Sequence, residues 1–175
     1  MINAKHILVM LVLFASTSAL SSNDADKLSL NGLNQLGKAK FSFMFWDVYE
    51  SQLYTTSGVY PMTTENEQLV LKIKYLREID KDDLVENTVE QWQHLGISDK
   101  QYSPYISKLN ALWPDIKKHD ELAIKIQNNV ATFYFNGLKL GDINDHRFGQ
   151  LFIDIWLSEK TSQPELRQRL LGLKG

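Results

Sequence analysis

Apolar and polar positions alternate at a spacing of two through Lys40 to Tyr49, KFSFMFWDVY, with Phe41, Phe43 and Phe45 on one side. Lys40, Ser42, Met44 and Trp46 fall on the other. One face is wholly aromatic, while the other combines a cation, a hydroxyl, a thioether and an indole, an inventory suited to lining a pocket. Register decides which face meets the interior, because a slip of one residue exchanges them. The alternation predicts a strand from about Ala39 to Tyr54, bent near Asp47. Turn residues then gather in Thr55 to Gly58 and Pro61 to Asn66. From Leu69 to Leu76 the period of two returns, with Leu69, Leu71, Ile73 and Tyr75 on one side and Lys72 and Lys74 on the other.

At Asp80 the period lengthens. Leu84, Thr88, Trp92 and Leu95 share a helical face flanked by Val85 and Val89, and Gly96 ends the helix. Asp80, Asp82 and Asp83 fall in its first turn, where carboxylates meet the positive end of the helix dipole. Ser98 to Gln101 forms a capping box and Ser103-Pro104 a second start, which predicts a short turn leading into a helix that runs to Leu112. Leu122, Ile124 and Ile126 alternate next, Asn128-Asn129 turns the chain, and Val130 to Phe135 returns as the partner strand. Asn136-Gly137 is a strong hairpin signal, since both residues tolerate positive φ, and it implies a short strand at Leu138 to Leu140. Phe148, Leu151, Phe152, Ile155 and Trp156 then fall on one side of a helix. Ser162-Gln163-Pro164-Glu165 starts a last helix that Gly172 stops. This order predicts an α+β fold, an antiparallel sheet with helices layered on one face.

The N-terminus stands apart. Lys5 and His6 precede an apolar run, Ile7 to Ala15, followed by small and hydroxylated residues through Ser22. That order is expected of a secretory signal peptide over residues 1–21, cleaved near Ala19 to Ser22, with one domain over residues 22–175. An uncleaved N-terminal anchor is the alternative. A cleaved leader implies a periplasmic or secreted protein with no membrane span left after its removal. The chain has no cysteine, which excludes disulfides and thiolate metal sites. Its net charge of -2 becomes -3 once Lys5 is gone, and no basic face interleaved with aromatics marks it for nucleic acid.

Motifs for catalysis and cofactors are missing: no GxSxG, HExxH, P-loop or dinucleotide fingerprint occurs, and no cofactor is expected. His94, His119 and His146 have no second histidine at metal-ligand spacing, so no metal site is expected either. What remains is an aromatic-rich composition with a few polar groups near the predicted sheet: Tyr49, Tyr54, Tyr75, Arg77, Asn87 and Trp92. An apolar cavity with a handful of convergent donors is the usual make-up of a small-molecule site. Tyr75 and Trp92 share their periods with core positions. Arg77 follows a strand and precedes a helix cap, where its guanidinium could fork onto a carboxylate ligand or pair with Glu78, Asp80 or Asp83. Asn87 lies beside the apolar face of the first helix, where a buried amide needs partners.

Phe41 to Tyr49, Tyr75-Leu76-Arg77, Leu84 to Ile97 (LVENTVEQWQHLGI), Phe133 to Gly137 (FYFNG) and the terminal helical pair together resemble the bacterial chalcone-isomerase-like family. The resemblance spans about Leu30 to Leu173. It implies an open-faced β-sandwich with a ligand cleft between sheet and helices. Active plant members close a chalcone into a flavanone, and related non-catalytic members bind fatty acids in the same cleft. Matched position by position, Met44 stands where active enzymes carry a threonine, Asp80 replaces a tyrosine and Asp83 a lysine. Asn87 matches the family asparagine. The early-strand arginine has no counterpart beyond Lys38 and Lys40, neither of which offers a planar fork.

These readings lead to a non-catalytic periplasmic binding protein that holds a fatty acid or similar lipophilic small molecule. Arg77 or Lys40 would meet the anionic end, Tyr49 and Asn87 would hydrogen-bond, and Met44, Trp46, Tyr75 and Trp92 would wall the apolar part. Two alternatives stand beside it: an intramolecular lyase of chalcone isomerase type acting on an unknown enone, and an envelope module whose sheet face or edge docks a protein.

Overall fold

The computed structural model describes residues 26–64 and 66–174, so the expected signal peptide lies outside the described residues. Six strands form one sheet: β1 (Asn34–Phe43), β2 (Trp46–Thr55), β3 (Leu69–Tyr75), β4 (Glu121–Gln127), β5 (Val130–Phe135) and β6 (Leu138–Ile143). They follow one another in chain order and every neighbouring pair is antiparallel. The meander is interrupted once, between β3 and β4, by α1 (Lys81–His94) and α2 (Asp99–Leu112). It is followed by α3 (Phe148–Leu157) and α4 (Pro164–Leu170). An α+β fold with an antiparallel sheet and helices layered on one face is what the hydrophobic periods predict.

The core lies between the helices and the inward face of the sheet. Leu71, Ile73, Leu122, Ile124 and Phe133 point inward from β3, β4 and β5, and Phe148, Phe152 and Ile155 come down from α3. Trp113, Phe133, Phe148 and Phe152 form an aromatic nest with contacting ring centroids between 5.3 and 6.0 Å apart, mostly edge to face. The outward face is held by polar side chains. Lys72 pairs with Glu121 at 2.9 Å, and the Thr132 hydroxyl donates to Asp142, which also pairs with Lys139. Among the described residues no helix is long and apolar enough to cross a membrane.

Three local expectations are corrected. The predicted single strand from Ala39 to Tyr54 is a hairpin: the chain reverses at Met44-Phe45, and Phe43 stands opposite Trp46 on the last rung. A turn built from Met and Phe carries no Gly, Pro, Asn or Asp, so nothing in its composition announces it. α2 is one continuous helix with Pro104 inside it, not a turn and a second start. Gln101 caps it by accepting the Ser98 N–H at 3.0 Å, and Pro104, in the second turn, forgoes one helical hydrogen bond. β6 runs to Ile143, beyond the expected Leu140.

Placement of α4 depends on Gly37. A Cβ at Gly37 would lie 2.1 Å from the Arg169 carbonyl oxygen and 2.6 Å from that of Leu170, so only glycine lets this helix end rest on β1. α4 packs against β1 and β2, and a hollow is left between the inward face of the sheet, α1 and α3.

Candidate functional site

That hollow is a cleft of about 640 Å³ between the inward face of β1 to β4 and the facing sides of α1 and α3. This falls in the size range of small-molecule sites. Its floor is apolar and aromatic: Phe41 and Phe43 from β1, Tyr49 from β2, Leu71, Ile73 and Tyr75 from β3. Phe152, Ile155 and Trp156 of α3 and Leu84 and Thr88 of α1 form the roof.

Strand register builds the aromatic floor. Tyr49 is paired with Phe41 on one side and Tyr75 on the other, so the three rings lie side by side on the same face. Their centroids are 5.2 and 6.1 Å apart. A bulge opposite Phe41 takes up Val48 and puts both Val48 and Tyr49 at the cleft. The Tyr49 hydroxyl accepts a 3.0 Å hydrogen bond from the indole Nε1 of Trp156. Burial pushes the Tyr49 phenol up to about 12, the Trp156 bond opposing it, and burial drives the fully enclosed Tyr75 phenol further in the same direction. Both are neutral hydroxyls at physiological pH.

The rim is polar. Arg77, just past β3, is the only cation lining the cleft among the described residues, and it makes no ion pair with Glu78, Asp80, Asp83 or any other described carboxylate. Glu78, Asp83 and Glu90 line the same rim. Asn87 donates its Nδ2 to the Asp83 carbonyl at 2.6 Å, and Ser162 donates to the Gln91 side chain at 2.6 Å.

Of the residues singled out from the sequence, the structure brings Tyr49, Tyr75, Arg77 and Asn87 to the cleft. Asn87 is exposed rather than buried, so its amide does not face the desolvation argued for it. The other four of the eight residues assigned to ligand contact are placed elsewhere, as is Tyr54, whose hydroxyl donates to the Gln52 side chain at 3.1 Å. Lys40 lies on the outward face, paired with Asp47 at 2.9 Å and near Glu50 at 3.9 Å. The aromatic side of β1, not the side carrying Lys40, is the one that faces the cleft. Met44 sits at the hairpin tip with φ 56° and is exposed. Trp46 is exposed beside it. Trp92 is fully buried beyond the cleft wall, stacked on Tyr102 with its Nε1 donating to the Leu151 carbonyl at 2.9 Å.

The family-matched positions divide in the same way. Asp83 and Asn87 line the cleft, whereas Met44 stands at the tip and Lys38 and Lys40 are exposed, Lys40 on the outward face. Asp80 precedes α1 without a side-chain cap, and Asp115 accepts the Lys81 N–H at 3.0 Å instead. Sequence reasoning missed Trp156, Thr88 and Gln91 as cleft residues. Trp156 was visible only as one member of a helical stripe, because its partner Tyr49 is 107 positions away.

A sheet of this order with helices on one face and a cleft beneath them is the architecture of a family. The chain belongs to the chalcone isomerase-like family, whose model matches residues 15–172. It is 27% identical over 138 residues, 78% of this chain and 67% of the relative, to an uncharacterized protein of Haemophilus influenzae. Among solved structures it is similar to a fatty-acid binding protein of Arabidopsis thaliana, with a TM-score of 0.62 and 12% identity over 85% of this chain and 90% of that one.

Proposed function

We propose that this protein is a binding protein that holds a fatty acid, or a lipophilic small molecule like it, in the cleft between sheet and helices. The observation that carries this reading is the combination of an aromatic and aliphatic floor with Arg77 at the rim, unpaired by any described carboxylate. An acyl chain would lie against Phe41, Tyr75, Leu71 and Phe152, displacing water from apolar surface. The acid would pair with the guanidinium of Arg77, whose planar fork matches a carboxylate. Because Glu78, Asp83 and Glu90 share the rim, no broad positive field draws an anion in, and selectivity for an acid rests on that one forked contact. The similarity to a fatty-acid binding protein agrees with this reading at the level of fold.

The compartment belongs to the same proposal. Lys5 and His6 ahead of the apolar run Ile7 to Ala15 support export to the periplasm or beyond, with the leader removed. Native mass spectrometry of protein extracted under mild conditions tests the binding. A bound mass in the fatty-acid range is expected. Repeated preparations without bound lipid, and no thermal shift with any fatty acid, would rule it out.

A further inference from the structure

The hairpin between β1 and β2 ends in four consecutive exposed apolar residues. Phe43, Met44, Phe45 and Trp46 are 63%, 76%, 94% and 68% exposed. Exposed apolar groups scattered singly are ordinary, but four together on one protruding turn mark an interaction site.

The turn itself shows that these side chains are kept at a cost. Met44 adopts φ 56°, a conformation that disfavours any side chain and that hairpins usually give to Gly or Asn. The other two tight hairpins among the described residues do so: Asn128-Asn129 joins β4 to β5 and Asn136-Gly137 joins β5 to β6, all four residues at positive φ. Only the first hairpin places bulky apolar residues where the same chain elsewhere uses cheap polar ones.

The tip is also continuous with the cleft. Phe41 and Phe43 line it, and Trp46 is paired with Phe43 on the same face, so an aromatic track runs from the interior to the exposed turn. Arg77 lies at the same end, since the Leu76 N–H donates to the Val48 carbonyl at 2.8 Å. Behind the tip Lys40 and Asp47 neutralise each other, so the apolar surface can leave water without stripping an unpaired charge.

We infer that the Phe43 to Trp46 tip docks on a lipid bilayer surface and seats the mouth of the cleft against it. The size of the patch selects this occupant over a second copy of the chain. Three aromatic side chains at about 150–250 Å² each, roughly three-quarters exposed, together with Met44 offer about 450–700 Å². A stable protein interface takes roughly 800 Å² from each partner. Interfacial insertion needs only a few apolar side chains, with Trp favoured at headgroup depth. The inference goes beyond the binding reading and does not depend on what the cleft holds.

The test measures fluorescence of the full chain with phosphatidylcholine vesicles, with and without phosphatidylglycerol, whose acyl chains carry bromine. Trp46→Phe, measured in parallel, isolates the Trp46 signal by difference from Trp92 and Trp113, which are buried, and from Trp156, which is half-buried in the cleft. A contribution of the N-terminal apolar run to vesicle binding would be the same in every variant, so the differences between variants report the tip alone. The expected result is that Trp46 is quenched and shifts its emission to the blue. Phe45→Asp should weaken that quenching roughly tenfold, and Met44→Gly should weaken it while the melting temperature holds or rises. Unquenched Trp46, or equal quenching in Phe45→Asp, would overturn the inference. So would sedimentation showing dimers of the wild type that Phe45→Asp separates, since the tip would then be a self-association surface.

Discussion

The indole Nε1 of Trp156 donates to the hydroxyl of Tyr49 at 3.0 Å and so ties α3 to β2 across the cleft. Removing one partner leaves the other half-buried without its hydrogen bond. Trp156→Phe is expected to destabilise the protein by roughly 1–3 kcal/mol, and Tyr49→Phe by less, because the phenol accepts this bond but carries the larger desolvation cost. Chemical denaturation of the two single variants and the double variant measures the coupling, expected to be positive.

The same tyrosine sets an alkaline limit. Its phenol is pushed up from 10.0 to about 12, chiefly by burial. Between those values the unfolded chain gives up a proton that the folded chain keeps. The contribution to stability is therefore fully present below about pH 10 and is lost as pH rises towards 12. Tyr75 is shifted in the same direction and adds to the slope. Denaturation midpoints followed from pH 9 upward should fall, and less steeply in Tyr49→Phe.

At the acid end the group to watch is Asp145. Its carboxylate accepts the Tyr105 hydroxyl at 2.7 Å and pairs with the Arg147 guanidinium at 3.0 Å. Arg147 above all, then the Tyr105 bond, holds its carboxyl well below the ordinary carboxylate range. A depressed carboxylate stabilises the fold above its ordinary pKa and loses that contribution as pH falls through the folded value. Asp145→Asn is expected to be less stable than wild type at pH 7. The gap should narrow as pH drops below about 4, the ordinary carboxylate value, in thermal melts at stepped pH.

Gly37 makes a separate, purely steric prediction. An alanine there would place its Cβ 2.1 Å from the backbone oxygen of Arg169, which no side-chain adjustment relieves. Gly37→Ala is expected to cost about 3 kcal/mol and to loosen α4 from β1. Hydrogen exchange of the Leu166 to Leu171 amides would register it as faster exchange than in wild type.

Periodicity explains what could be read from the chain. β3 and β4 alternate over most of their length, with Val70 and Ala123 as buried exceptions, and α1 and α3 carry apolar stripes at helical spacing, so sheet and helices followed from Leu69, Leu71 and Ile73 or Phe148, Phe152 and Ile155. The β1–β2 reversal was illegible because Phe43-Met44-Phe45-Trp46 continues the strand pattern in composition while the backbone turns back. From that one miss followed the placement of Lys40, Met44 and Trp46. A continuous strand puts Trp46 opposite the Phe43 side, whereas a hairpin pairs the two. Tyr49, Tyr75 and Arg77 reached the cleft because they sit on one face or at the end of two strands in register. Trp156 depended on a pairing between distant elements that no local pattern encodes.

Titration calorimetry of a long-chain fatty acid and its methyl ester into delipidated protein tests the binding claim most directly. Saturable one-to-one binding of the acid is expected. Arg77→Ala should weaken the acid by roughly 10- to 100-fold, as loss of a charged hydrogen bond implies, while leaving the ester nearly unchanged. No saturable heat with either ligand, or equal affinities of wild type and Arg77→Ala for the acid, would contradict it.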